Sequence, residues 1–386
     1  MPRITGYYET TTVAGDVVRA FVPSPLPPDS PPVVLDRSLE QALAQATRGL
    51  ADLELAGGMV PSVSWFRYSF VRKEALLTTQ IEGTQATLVG LLASEAAHED
   101  PGQDAEVEQV TNYIDALAWS RDQLSRPDGL PISIRLLSEA HLRLMQGARG
   151  ADKQPGEVRR SQNWVGGTRP GNAVFVPPPP HILPEALSEL ERYIHGDHEL
   201  PALIRIGLIH IQFETLHPYL DGNGRLGRLL IVLLLEQHGL LQAPLLYISL
   251  YFKRHRQEYY RRLDAVRTAG EWEAWLQFYL EGVAAIANEA VAAIGELFNL
   301  IRNDRTSLLA LKEATVSAVR LFELLPEHPV VTVTRVVKLL DTTRPTAGKA
   351  IAALEQAGIL QEATGRKRDR TWHYGRYIQI LTEGTE

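Results

Sequence analysis

The chain has 386 residues, a formal net charge of −7, 45% apolar and 22% charged residues, and no cysteine. That length exceeds one small core and points to two or three domains. The charge gives no whole-chain case for nucleic-acid binding, and the missing cysteine excludes disulfides, thiol chemistry and cysteine metal sites while fitting a reducing compartment.

Met1 to Tyr8 lacks the basic-then-apolar layout of a secretion signal. Residues 1–35 concentrate proline (Pro23, Pro25, Pro27, Pro28, Pro31, Pro32), so an extended arm is expected. Helical periodicity begins near Asp36, with Leu39, Leu43 and Leu50, and a second periodic run covers Ser62 to Glu82, stopped by Gly83. An acidic loop is expected over Glu95–Glu106, followed by helices near Val107–Arg121 and Ile132–Met145. Residues 161–180 carry two short apolar strands around Pro170-Gly171-Asn172, a β-hairpin that the prolines after Val176 cut short.

Helices are expected again at Leu183–His195, at Pro201–Leu216 and from the next loop to about His238, with two or three more over Tyr251–Leu311. Leu229–Leu235 is the longest apolar run, too short for a bilayer, so no membrane partner and a cytoplasmic location are expected. In the last part, one helix is expected at Val330–Leu340 and another from Thr343 to Gly358. Strands at Ile359–Ala363 and Thr371–Tyr374 flank a basic turn with Arg366, Lys367, Arg368 and Arg370. This is the order of a winged helix. Its 11 Lys/Arg against 9 Asp/Glu over residues 306–386, with Arg344, Thr346 and Lys349 facing outward, make DNA one partner class and protein another.

The chemistry concentrates in His217-Pro-Tyr-Leu-Asp-Gly-Asn-Gly-Arg-Leu-Gly-Arg228. Two glycines around Asn223 permit a tight turn with converging N–H groups, and a helix starts there, so the turn is an anion site. Arg225 and Arg228 are three apart on one helical face, and the arginine fork suits phosphate oxygens. Asp221 is a hard oxygen ligand for a magnesium ion that also binds phosphates. His217 can take a proton near neutrality.

This segment resembles the signature of the Fic family, His-Pro-Phe-x-(Asp/Glu)-Gly-Asn-Gly-Arg-x-x-Arg, with Tyr219 in place of phenylalanine. The resemblance extends over roughly residues 60–290. It implies a mainly α fold, a Fic-type helical bundle with one β-hairpin flap, here followed by a small C-terminal winged-helix domain. The expected division is residues 1–105, with an arm and an inhibitory helix, a core at 106–300, and the terminal domain at 301–386. The implied activity is transfer of AMP from ATP, with Mg2+, to a protein hydroxyl. His217 is then the general base and Asp221 the metal ligand. Gly222, Asn223, Gly224, Arg225, Leu226, Gly227 and Arg228 form the phosphate-binding run. The hairpin at Gln162–Val176 would align the target segment by main-chain pairing.

Thr78-Thr-Gln-Ile-Glu82-Gly83 resembles the (Ser/Thr)-x-x-x-Glu-Gly inhibitory motif of that family. The resemblance implies that Glu82 pairs with Arg228 and holds transfer back. His255 and Tyr259 fall where relatives approach the nucleotide base, although many carry Asn-Arg where this chain has His255-Arg256. The implied partners are ATP, an unidentified target protein, the chain itself as target, DNA through the last domain, and a second copy in a homodimer. The other functional class is a DNA-binding regulator whose nucleotide site senses or modifies only itself.

Overall fold

The computed structural model describes residues 3–29, 31–59, 62–97, 104–147, 150, 152–365 and 370–385. The chain is mainly helical and divides into two compact units. One comprises Met1–Leu50, Asn112–Gln242 and Tyr251–Ala285, and the other Ala51–Thr111, Ala243–Leu250 and Ile286–Glu386.

The first unit begins with a correction. Instead of an extended arm, β1 (Gly6–Val13) and β2 (Asp16–Pro23) form an antiparallel hairpin, paired from Gly6–Pro23 to Val13–Asp16. Its two-residue turn has positive φ at both Ala14 (49°) and Gly15 (87°), the backbone that matches strand twist. Val18, Ala20, Phe21 and Val22 are buried. The proline cluster starts only where β2 ends, so it describes the following segment and not the strands.

After α1 (Arg37–Gly58) and α4 (Ala105–Ser125), the first unit continues with α5 (Ile134–Leu144), whose N-cap Ser133 accepts from the Leu136 N–H. Then come α6 (Leu183–His195), α7 (Ala202–Leu216) and α8 (Asn223–Gln237). Nearly every residue of α7 and α8 is buried, as expected of a helix apolar on all sides. The short helix α9 (Ser249–Arg254) precedes α10 (Arg256–Ala269) and α11 (Trp272–Leu309). Trp275 Nε1 donates to the Gly207 carbonyl at 2.9 Å, and Gly207 leaves room for Leu276 and Tyr279. By length and composition α11 could cross a membrane. Its apolar stripe is buried in protein while Glu281, Glu289 and Glu296 are exposed, the pattern of a core helix.

The second unit contains α2 (Val63–Ile81) and α3 (Leu88–Ala97). Glu95 is therefore helical, and the rest of the expected acidic loop lies partly outside the described residues. The C-terminal part runs α12 (Val316–Leu324), β3 (Val330–Thr332), α13 (Val333–Leu340), α14 (Arg344–Gln356), β4 (Gln361–Glu362), β5 (Thr371–His373) and α15 (Gly375–Thr382). The three strands are antiparallel in the order β3-β5-β4. The single helix expected at Val330–Leu340 is corrected: its first three residues pair with β5, and Thr332 caps α13 by accepting from Arg335 N–H. The basic turn residues Arg366, Lys367 and Arg368 lie outside the described residues. The unexpected helix α15 lies along α2, through Ser69 with Tyr377 Oη (3.1 Å) and Lys73 Nζ to the Glu383 carbonyl (2.8 Å).

Candidate active site

Helix α7 ends at Leu216, and His217 takes a left-handed backbone, φ 47° and ψ 59°. For a residue with a Cβ this costs about 1–2 kcal/mol, so its surroundings must hold it. They do so through the carbonyls. Arg159 Nε donates to the His217 carbonyl at 2.9 Å, its Nη2 reaches that of Leu216 at 3.4 Å, and its backbone N–H donates to Pro218 at 2.9 Å. Asn163 Nδ2 donates to Tyr219 (3.3 Å) and Leu220 (3.1 Å). His141 Nε2 lies 3.0 Å from the Asp221 carbonyl. Every carbonyl from Leu216 to Asp221 thus has a donor.

His141 is a neutral donor. The Gly156 N–H donates to its Nδ1 at 2.9 Å, which leaves the proton on Nε2. Burial pulls its pKa down to about 4. The ring stacks on Tyr219 at 4.0 Å and 15°, and Tyr219 Oη lies 3.0 Å from Ser138 Oγ.

The loop then turns into α8. Gly222, with φ 76°, is the N-cap, and the first helical bond runs from Leu226 N–H to its carbonyl at 3.0 Å. A Cβ there would sit 2.7 Å from Met145 Sδ, so glycine is required both by backbone and by space. Asn223 grips the Tyr219 peptide at both ends, accepting from its N–H (2.9 Å) and donating to its carbonyl (2.8 Å). Its side chain therefore shapes the loop, and the N–H groups of the first turn are the candidate anion-binding element. Arg225 and Arg228 are both buried, and Arg225 Nη2 approaches Met145 Sδ at 3.2 Å. Leu226 is a core residue, and Gly227 allows α8 to pack against Phe213 and Glu214.

Asp221 is exposed, with Oδ1 accepting from Gly222 N–H at 2.6 Å. Among the described residues no three His, Asp or Glu side chains cluster as a metal cage. One carboxylate beside an anion site suits a magnesium ion whose other ligands are phosphates and water.

The flap is narrower than expected. A single bridge joins Val165 and Phe175, and a 3₁₀ turn at Pro170–Asn172 forms the tip. It is backed by the N-terminal hairpin. Phe21 N–H donates to the Val176 carbonyl at 2.9 Å, and Asp16 accepts from Gly171 N–H (3.0 Å) and Arg169 Nη1 (3.1 Å). Val18, Ala20 and Val176 form a small core against Val13, Trp164 and Ala173. Arg267 of α10 lies 3.8 Å over the Phe175 ring.

Residues 131–235, which contain this site, match the Fic/DOC family, and residues 40–122 match the Fic/DOC family N-terminal region. Both segments belong to the Fic/DOC family. The chain is 31% identical over 99 residues to a probable protein adenylyltransferase of Aquifex aeolicus, covering 26% of this chain and 28% of that one. It is 32% identical over 136 residues to protein adenylyltransferase Fic of Drosophila erecta, covering 35% and 24%. With the Drosophila ananassae protein of the same name it shares 29% over 196 residues, 48% and 35% of the two chains. The matches thus span between a quarter and about a third of those relatives. Among solved structures, a Fic family protein from Desulfovibrio desulfuricans aligns with a TM-score of 0.59 at 19% identity, over 89% of this chain and 98% of that one. Fic-1 from C. elegans gives 0.51 at 20% identity, over 67% and 74%. These two likenesses concern the fold.

The other expected residues fall on further elements. Thr78 and Glu82 belong to the second unit, with Thr78 buried and Glu82 exposed at the C-cap of α2, before Gly83 at φ 101°. His255 is exposed at the N-cap of α10, 4.4 Å from the Tyr251 ring. Tyr259 is buried, its hydroxyl 2.9 Å from His210 Nε2. The sequence reading missed Arg159, Asn163 and His141. The first two lie in irregular chain with no periodicity, and His141 reads as an ordinary helix-end residue.

Proposed function

We propose that this chain is a protein adenylyltransferase that moves AMP from ATP to a Ser, Thr or Tyr hydroxyl. The observation that carries the reading is the loop itself: each of its carbonyls has a donor within the protein, and the α8 N-terminus, Arg225 and Arg228 follow directly. His217 accepts the hydroxyl proton as the hydroxyl oxygen forms its bond to the α-phosphorus. The bond from that phosphorus to the bridging oxygen breaks, and pyrophosphate leaves. The α8 N–H groups and the two arginines hold the phosphates in line, so the gain comes from positioning and charge stabilisation. Asp221 would hold a magnesium ion, which when bound offsets negative charge on the leaving group. The flap, braced by Asp16, offers main-chain groups that align an extended target segment.

Glu82 restrains this activity in the same proposal, by pairing with Arg228 and removing an anchor for the γ-phosphate. Support comes from the Thr78–Glu82 spacing and from the place of Glu82 at the C-cap of α2, directly before Gly83. The test is mass spectrometry of the protein and of added lysate proteins after Mg-ATP. Wild type should gain AMP weakly, Glu82→Gly at least about tenfold more, and His217→Ala none while still binding ATP. No AMP on any protein with Glu82→Gly would refute the transfer reading, and equal wild-type and Glu82→Gly rates would refute the brake. For the C-terminal segment, exposed Arg344 and Lys349 on α14 support a second reading, contact with DNA phosphates. A mobility shift that weakens as salt rises would support it, and its absence at low salt would end it.

A further inference from the structure

We propose that Arg159 is a positioning residue of this site, fixing the peptide planes on either side of His217 and so the place of its ring. The catalytic consequence rests on the adenylyl-transfer reading. The clamp itself does not.

Arg159 is only 1% exposed, one of the largest fully buried side chains of the described residues. Its guanidinium donates to four carbonyls: His217 (2.9 Å), Leu216 (3.4 Å), Pro178 (2.6 Å) and Ser161 (3.2 Å). Among the described residues no carboxylate is a partner of Arg159. Burial lowers its pKa to about 10, so it remains charged at neutral pH. A buried cation without an anion is costly, and an apolar side chain would serve packing better. Here the charge faces the carbonyl end of α7, the negative end of the helix dipole.

The geometry of the donors matters more than the charge. Three consecutive carbonyls, Leu216, His217 and Pro218, converge on one residue, because the Arg159 backbone N–H takes the third. Fixing three successive peptide planes sets the dihedrals of the two residues between them, His217 and Pro218, and His217 is the one that holds the unfavourable left-handed conformation. The planar fork can do this, whereas a lysine ammonium is a single point on a flexible stem. Because the guanidinium is committed to protein carbonyls, Arg159 acts through His217 and does not bind nucleotide.

The experiment compares wild type, Arg159→Gln and Arg159→Lys by transfer kinetics and by amide hydrogen exchange. Arg159→Gln should lower kcat by at least about tenfold with the KM for ATP within about twofold, since the α8 anion site keeps its own supports. Arg159→Lys should fall between. The His217 and Tyr219 amides should exchange at least about tenfold faster in Arg159→Gln, with α11 unchanged. A rise in KM matching the loss of kcat/KM would overturn the proposal, because Arg159 would then contact nucleotide. Unchanged exchange at His217 and Tyr219 would overturn it too, as would equal acceleration throughout the first unit, the mark of general destabilisation. If the Glu82→Gly protein with Arg159 intact shows no transfer at all, the adenylyl-transfer reading fails, while the exchange result still decides the clamp.

Discussion

Acid should open the helix pair that carries the site, and His210 is where it acts. This residue of α7 is fully buried, with Nδ1 3.1 Å from the Gly227 carbonyl of α8 and Nε2 2.9 Å from Tyr259 Oη of α10. Burial pulls its pKa from 6.5 down to about 3. The unfolded chain therefore binds the proton more readily, and stability rises with pH through this window. The contribution is fully present above the unfolded value of 6.5, declines as pH falls below it, and levels off near the folded value. At about pH 5 the lost stability is about 2 kcal/mol. His141, in the same unit and lowered to about 4, adds a similar amount. Together about 4 kcal/mol is a large share of a typical 5–15 kcal/mol stability. The assay is urea unfolding at about pH 7.5 and about pH 5, for wild type and His210→Gln, which keeps a polar side chain but cannot titrate. The variant should lose about 2 kcal/mol less than wild type between the two pH values. Equal losses would refute the reasoning.

Two further predictions concern the loop and the flap. Gly222→Ala should lower stability by about 1–3 kcal/mol, read as a shift in urea midpoint, because alanine must adopt φ 76° and meet Met145 Sδ at 2.7 Å. It should also weaken Mg-ATP binding in calorimetry, since the Asp221–Gly222 peptide has to move; unchanged affinity would count against the anion site. Asp16→Ala removes the acceptor for Gly171 N–H and Arg169. Exposed pairs are weak, so stability should change by less than about 1 kcal/mol, while the KM for a protein target rises with that for ATP unchanged. A parallel rise in both would place the flap's effect on the nucleotide instead.

The division between what was legible in the sequence and what was not follows the range of the interactions. The loop from His217 to Arg228 was legible because its working parts are neighbours: a turn, a helix start and two arginines at helical spacing act within a few residues of one another. The helices α6, α7 and α8 were legible for the same reason: α6 buries one periodic face, and α7 and α8 are apolar runs buried on nearly every side. The β1–β2 hairpin was obscured because its turn, Ala14-Gly15, lacks the Asn-Gly or Asp-Gly signal and a proline cluster follows at once. The helix read at Val330–Leu340 failed at its first turn, where pairing with β5 overrides an apolar run that suits either structure. Arg159 and His141 meet the loop across 58 and 80 residues, and no spacing rule spans that distance.

Asn223 shows what the long-range contacts add. From sequence it stands with the phosphate ligands, because an amide between two glycines at a helix start invites that role. Its amide instead closes on the Tyr219 peptide, and Tyr219 in turn stacks on His141. Asn223 thus helps set the path of the loop whose N–H groups are proposed to hold the phosphates. The side chains that bond the loop's carbonyls come partly from within the motif and partly from α5 and the flap segment. Substituting Arg159 or His141 therefore tests the site as directly as substituting a residue of the motif.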